Sequence, residues 1–512
     1  MLPVRRMPLF PNSDMKRCRR ITAWLLVLTV FLTSGCLSAR LPEETGTDGP
    51  SGAPAVSSES GTTVSPSETV PPETLPPETE LPTETDPPET LPPETELPTE
   101  TDPPETLPPE TELPPGMTVF FGRPMDERIA AINRRTLETP GSGLFDVLSP
   151  RTFLNEEVLA LIEAYTLPER PFYGARALTP ELREQILANR NTAVFSGFPG
   201  AEAPLRYGII CENASVRSFP TSLRACDSLD GNAFDYLQES MFQIGEGVLI
   251  LHESLDQEWA FVQGTNYAGW VLLSDIAFTS QEEFRTFLTG SDFAAVIRPG
   301  VPVRTTLSTG EPFQKTLRLG TVLPLKKYTD SAVTLVFPVK NEVGELRTEE
   351  ITLENNGAFS AGFAPYSADA LLKVARGVLG QPYGWGDEKG GYDCSSFVGL
   401  ACRCFGIFMP RNSSQQKYAG GSVTDVAGRE TSWKYAFLEE RPAAVLAYPG
   451  HVMLYEKTEG GRHYVLHANT AYYGTDGTRN DVYQVAEAQL EDLHRSDGTL
   501  LLDAVTVIVT YP

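Results

Sequence analysis

A 16-residue unit, Leu-Pro-Pro-Glu-Thr-Glu-Leu-Pro-Thr-Glu-Thr-Asp-Pro-Pro-Glu-Thr, starts at Leu75, repeats at Leu91 and begins again at Leu107. Proline at this density fixes φ and removes backbone donors, so neither a helix nor a central strand can run through it. Residues 41–116 also carry 18 Asp/Glu and no Lys or Arg, so like charges push the segment outward. The reading is a disordered, semi-rigid polyproline II spacer over 37–116 with no core of its own. At about 3.1 Å per residue it could reach on the order of 200 Å. A folded body is therefore expected only from Met117 onward.

The segment before the spacer has the opposite charge. Residues 1–40 hold seven Lys/Arg against one Asp. Met15-Lys16-Arg17-Cys18-Arg19-Arg20 is a basic n-region, and residues 21–33 form an apolar h-region of signal-peptide length, too short for a confident spanning helix. Leu32-Thr33-Ser34-Gly35-Cys36 resembles a bacterial lipobox, although Thr33 stands where leucine is usual. Residues 1–36 are thus read as a signal peptide with lipidation at Cys36. The chain is expected in the cell envelope, outside the cytoplasm, held to the membrane by a lipid anchor. Of the formal net charge of −26, residues 117–512 carry −14, and this acidic body argues against nucleic acid as a partner.

The body divides by pattern. Residues 117–202 read as a mainly helical module, with helices expected at 125–136, 155–164 and 179–189, the last opened by Thr179-Pro180. From 203 to 288 the pattern turns to short strands: 208–210, 247–252, 259–263 and 267–271. Glu258-Trp259-Ala260-Phe261-Val262, followed by Gly269-Trp270-Val271, resembles a bacterial SH3-like (SH3b) domain. Residues 289–363 look like a second, diverged unit of that kind. The last domain, 364–512, opens with a capped helix from Ser367 and continues into a meander over 443–448, 450–456 and 463–467. The fold class expected is multidomain: an α+β catalytic domain preceded by two small all-β barrels and a helical module.

Cys394 follows the glycine-rich stretch 384–391 and begins an amphipathic run ending at Gly406. A thiol at a helix N-terminus meets unpaired N–H groups and the positive end of the dipole, which favour a thiolate. Four of the five histidines, His451, His463, His467 and His494, fall in this same third of the chain. If the hairpin turns tightly about Glu459, His451 stands directly across from His467, because opposed residues of an antiparallel pair share a face. Cys394 would then be the nucleophile, His451 its base, and His467 the group that orients the base. His463 and His494 are read as surface residues, and His252, Trp259 and Trp270 as parts of the barrel. Pairing of Cys211 with Cys226 is left open, and Cys402 and Cys404 read as buried free thiols. The Cys-x-Cys spacing does not suit zinc, so no metal or other cofactor is expected.

Residues 365–512 resemble the NlpC/p60 family of papain-like cell-wall cysteine peptidases. The resemblance rests on Gly380-Gln381-Pro382-Tyr383-Gly384-Trp385-Gly386, Tyr392-Asp393-Cys394-Ser395-Ser396-Phe397-Val398, Pro410-Arg411-Asn412-Ser413-Ser414-Gln415-Gln416 and Pro449-Gly450-His451-Val452. The domain order over 117–512 is similar to members that trim stem peptides with a free N-terminal L-alanine, the dipeptidyl-peptidase VI type. The resemblance implies cleavage of the γ-D-glutamyl–diamino acid bond by Cys394, His451 and His467. It also implies an oxyanion site from the Cys394 amide with Tyr383, a wall from Trp385, and substrate contacts from Asp393, Ser395 and Ser413. In the first SH3b domain it implies Tyr267 and an acid, Asp235 or Glu239, for the substrate ammonium. Peptidoglycan stem peptides are the expected partner, and a monomer is expected. Two other functions fit the same residues less well: a wall-binding scaffold with an idle peptidase fold, and an amidase cutting between muramic acid and L-alanine.

Overall fold

In the computed structural model, residues 113–198, 200–230 and 233–511 are described. The signal peptide, Cys36 and nearly all of the spacer lie outside the described residues.

Met117–Phe120 pairs with Arg123–Asp126 as a hairpin, and Asp126 caps the helix Glu127–Glu138 by accepting from the Arg128 amide. The helix expected from 125 therefore starts two residues later, because Met125 is spent in the hairpin. Helices follow at Asn155–Glu163 and Pro180–Asn189, the latter capped by Thr179.

The next module is a seven-stranded antiparallel sheet. Its order is Ile276–Thr279, Arg206–Ile210, Gly247–Glu253, Trp259–Gln263, Ala268–Leu272, Ala214–Arg217 and Gln238–Phe242. Trp259, Phe261 and Trp270 are buried in it, and His252 packs between Phe195 and Trp270. Cys211 and Cys226 are both buried and unpaired. The helix Gln281–Leu288, closed by a Ser280/Glu283 capping box, covers the sheet with Phe284 and Phe287. A second β module follows. Its five strands run in the order Leu346–Glu354, Ala332–Lys340, Val322–Tyr328, Phe293–Val296, Phe359–Ala361, with a separate hairpin of Val301–Thr306 and Pro312–Leu317. The fold is multidomain, with SH3b-like all-β modules ahead of an α+β papain-like domain.

That last domain has six strands in the order Ser422–Asp425, Val507–Thr510, Val445–Tyr448, His451–Glu459, Arg462–Tyr473, Arg479–Gln489. The expected three-strand meander is thus half of the sheet. The helix Cys394–Arg403 packs on it through Phe397, Val398 and Ala401, within a core that also holds Val452, Leu454 and Leu466. Cys402 and Cys404 are buried free thiols in the same core.

Hairpin register decides which side chains can meet. The turn is Gly460-Gly461, with Glu459 opposite Arg462 and Thr458 opposite His463, so it is not centred on Glu459 as expected. Were that register to run on unbroken, His451 and His467 would project from opposite faces. It does not, because the register shifts by one residue between Tyr455 and Lys457 and restarts with Leu454 opposite Leu466. The bulge at Glu456 returns both histidines to one face as a diagonal pair, rather than the directly opposed pair expected.

Candidate active site

Asp393 is the N-cap of the Cys394 helix and accepts from the Ser396 amide at 2.8 Å. Cys394 is therefore the first helical residue, where N–H groups lack intrahelical partners. Backbone groups of Val452 and Ser395 lie within reach of its sulfur. Val452 follows His451, so the strand start that carries the imidazole abuts the thiol. His451 Nε2 lies 3.0 Å from His467 Nδ1, so that contact leaves His451 Nδ1 free. Cys394 and His451 each keep 8% of their surface exposed, whereas His467 keeps none. A substrate can touch the first two and not the third.

Burial sets the resting protonation. It pushes the Cys394 thiol up to about 12, with the Asp393 charge adding to the rise. Burial also brings His451 down to about 4, against an opposing pull from Asp393. The helix terminus therefore does not yield the standing thiolate expected from sequence, because desolvation outweighs the dipole. The resting pair is thiol and neutral imidazole. Two outcomes follow. Alkylation of free Cys394 by iodoacetamide should rise about tenfold per pH unit between pH 6 and 9, as for an ordinary thiol below its pKa. A fast rate already flat from pH 5, read against Cys394→Ala as a blank, would indicate a preformed ion pair instead. Activity should persist in acid until His451 protonates near pH 4, since imidazolium cannot accept the thiol proton.

Arg411 lies behind Cys394, and all five of its donors are used. Nη2 reaches Asp393 at 2.6 Å and Asp387 at 3.3 Å. Nη1 reaches Asp393 at 3.2 Å and Ser395 at 2.9 Å, and Nε reaches Ser240 of the first β module at 2.8 Å. Asp393 and Ser395 were expected to contact substrate. Both are buried, and they are bonded to each other and to Arg411, so their polar atoms are committed to the scaffold. Burial pushes the Asp393 carboxyl up, but Arg411 outweighs it and the net shift is downward. Asp387, held also by Arg318 at 3.3 Å, sits at positive φ beside Gly386. Gly386 is required there. A Cβ on it would meet the Gln238 carbonyl at 2.8 Å, where the loop presses on the first β module.

Trp385 and Tyr383 form a wall, and Phe234 from the first β module completes it. The Phe234 ring stacks on Trp385 at 5.5 Å and leans on Tyr383 at 5.9 Å. Burial holds the Tyr383 hydroxyl well above the usual tyrosine range, so it remains an O–H donor. Ser413 opens a four-residue helix, half-buried, and Gln416 of that helix donates to the Ser395 carbonyl at 2.8 Å.

The two acids of the β module part company. Asp235 is buried and bridged to Arg217 at 2.8 Å, and it accepts from the amides of Ala225 and Leu237. It braces its own domain. Glu239 accepts from the Tyr267 hydroxyl at 2.7 Å. Burial pushes its carboxyl up, partly offset by hydrogen bonds from Tyr267 and Ser218. Of the two, it is Glu239 that is paired with the tyrosine singled out in the sequence.

His463, expected at the surface, is buried. It bonds Glu491 at 2.7 Å and stacks on Tyr435 at 4.2 Å. Sequence reasoning missed Arg411, Asp387, Phe234 and Tyr448, whose ring lies 5.4 Å from that of His451. Arg411 and Asp387 stood in stretches already singled out, without a role assigned. The others are brought in by tertiary packing.

A family model described as the NlpC/P60 family matches residues 380–485, and one described as an SH3 domain of SH3b1 type matches 225–272. No curated protein matches. Among solved structures, the chain is similar to a novel NlpC/P60 endopeptidase from Photobacterium damselae subsp. piscicida. The identity is 20%, the match covers 76% of this chain and 93% of that one, and the TM-score is 0.59. It is also similar to an NlpC/P60 family protein from Bacillus cereus at 16% identity, covering 60% of this chain and 99% of that one, with a TM-score of 0.42. At 20% identity the likeness to the first of these concerns the fold.

Proposed function

We propose that this chain, which carries an NlpC/P60 domain joined to an SH3b-type module, is an exported cysteine endopeptidase that cuts the γ-D-glutamyl–diamino acid bond of murein stem peptides. The domain itself implies a cell-wall hydrolase. The observation that carries the finer reading is the triad geometry: a thiol at a helix start against a strand whose histidine bonds a second, fully buried histidine at 3.0 Å. In the proposed reaction His451 takes the thiol proton as sulfur attacks the γ-glutamyl carbonyl. The C–S bond forms and the Cys394 amide, with Tyr383, supports the oxyanion. The C–N bond then breaks, and the proton passes from His451 to the leaving amine. Water, deprotonated by His451, hydrolyses the thioester and restores the thiol. Secretion and lipidation at Cys36 belong to this proposal and rest on the sequence alone.

Selectivity for a free L-alanyl terminus is assigned to Glu239 with Tyr267. A half-buried carboxylate whose neighbours are the hydroxyls of Tyr267 and Ser218 and distant cations gains by receiving an ammonium. Asp235, already neutralised by Arg217, has no such need. The test uses the tripeptide L-Ala-γ-D-Glu-diamino acid and its N-acetylated form, with products read by mass spectrometry. Release of L-Ala-D-Glu from the free peptide is expected. Glu239→Gln should lower kcat/KM for that peptide by about 10- to 100-fold and leave the acetylated one unchanged. Equal losses on both would remove the ammonium assignment. Wall binding without turnover, or cleavage before L-alanine, would replace the endopeptidase reading by the scaffold or the amidase.

A further inference from the structure

His467 has a second neighbour. Its Nε2 lies 3.2 Å from the Tyr472 hydroxyl, and the two rings stack at 5.4 Å with planes 14° apart. In a regular strand, residues five apart face opposite ways. Here the two rings meet all the same, beside a break in the ladder with Arg479–Gln489, where Thr470 stands against both Val482 and Tyr483 between the pairs Asn469–Gln484 and Ala471–Asp481. Asn469 braces its own strand there, donating to the Ala471 carbonyl at 2.6 Å and accepting from the Thr470 amide.

The proton inventory of the relay follows. His451 must keep Nδ1 bare to receive the thiol proton, so its one hydrogen is on Nε2. That hydrogen points at His467 Nδ1, which must therefore be bare too. Burial keeps His467 neutral, so its single hydrogen is left for Nε2. The opposite tautomer would send a hydrogen from His467 toward His451 and block the base.

We propose that Tyr472 is a positioning residue whose oxygen accepts the Nε2–H of His467, holding that ring in the one tautomer that lets His451 act as a base. The tyrosine's own hydrogen turns outward, which its half-buried position permits. A histidine can be the third member only if something settles its tautomer, and an amide in its place would not need this help. The inference rests on the hydrolase reading, so its test includes a readout that does not depend on turnover.

In wild-type protein, 15N-imidazole NMR should show His467 as the Nε2–H tautomer. In Tyr472→Phe, which removes only the hydroxyl, the two tautomers should mix. With the tripeptide, kcat/KM should fall about tenfold with KM little changed, the loss expected for one hydrogen bond. In a His467→Gln background, where no tautomer exists, adding Tyr472→Phe should change nothing further. An Nδ1–H tautomer in the wild type, or the same Tyr472→Phe penalty in both backgrounds, would overturn the inference. Absence of any wild-type turnover would sink the endopeptidase reading, and the NMR result would still decide the role of Tyr472.

Discussion

Cys394→Ala should reduce cleavage of the tripeptide by about four orders of magnitude or more, with His451→Gln nearly as severe and the double variant no worse than Cys394→Ala alone. The reason lies in the resting state. Neither group is an ion before substrate arrives, since burial holds the thiol at about 12 and the imidazole at about 4. The sulfur is then a weak nucleophile without the base, and the base has no other proton to take, so the pair acts as a unit. Initial rates on purified protein, with circular dichroism to verify folding, would check this. Additive losses, each partial, would mean that the two residues act in separate steps. His467→Ala should cost less, because His467 is wholly buried and in the proposed mechanism only orients the base.

Arg411→Met is expected to be the most damaging substitution for stability, by about 3–5 kcal/mol. The guanidinium neutralises Asp393 and Asp387, both almost wholly buried, and also bonds Ser395 and Ser240. Methionine fills much of the space but leaves Asp393 charged with no cation, and Asp387 with Arg318 alone. Arg411→Lys should recover little, since a single ammonium cannot reproduce a five-donor fork. The midpoint of urea unfolding at pH 7 is the measurement. The pH dependence gives a second check. Asp393 has a folded-state pKa below its ordinary value, so its contribution is present above about pH 4 and is lost as pH falls through the folded value. In the methionine variant that carboxyl prefers its proton, and the deficit against wild type should shrink in acid. A deficit constant from pH 7 to pH 3 would assign the loss to packing.

What could be read before folding divides along physical lines. The placement of Cys394 at a helix start and of His451 at a strand start was legible because both are local patterns. The β modules were legible from Trp259, Phe261 and Trp270 at strand spacing. Asp235 and Glu239 could not be told apart, because what separates them is Arg217, which reaches only the first. The ionisation of Cys394 was misjudged because the dipole is visible in a sequence and desolvation is not. His463 was placed outside because the cover supplied by Tyr435 and Glu491 comes from distant segments. Tyr472 was invisible for a different reason. Alternation along a strand puts it on the wrong side of the sheet, and the contact with His467 is made beside an irregular stretch of pairing that the sequence does not announce.

The bulge at Glu456 has a further implication for how this hairpin can vary. Its arms can grow or shrink by residues in twos, since each pair leaves the imidazoles where they are. A lone insertion between 452 and 466 would swing one imidazole into the wrong compartment unless a second irregularity cancelled it. Even-numbered length changes are therefore the cheap ones, and parity is what constrains drift in this hairpin.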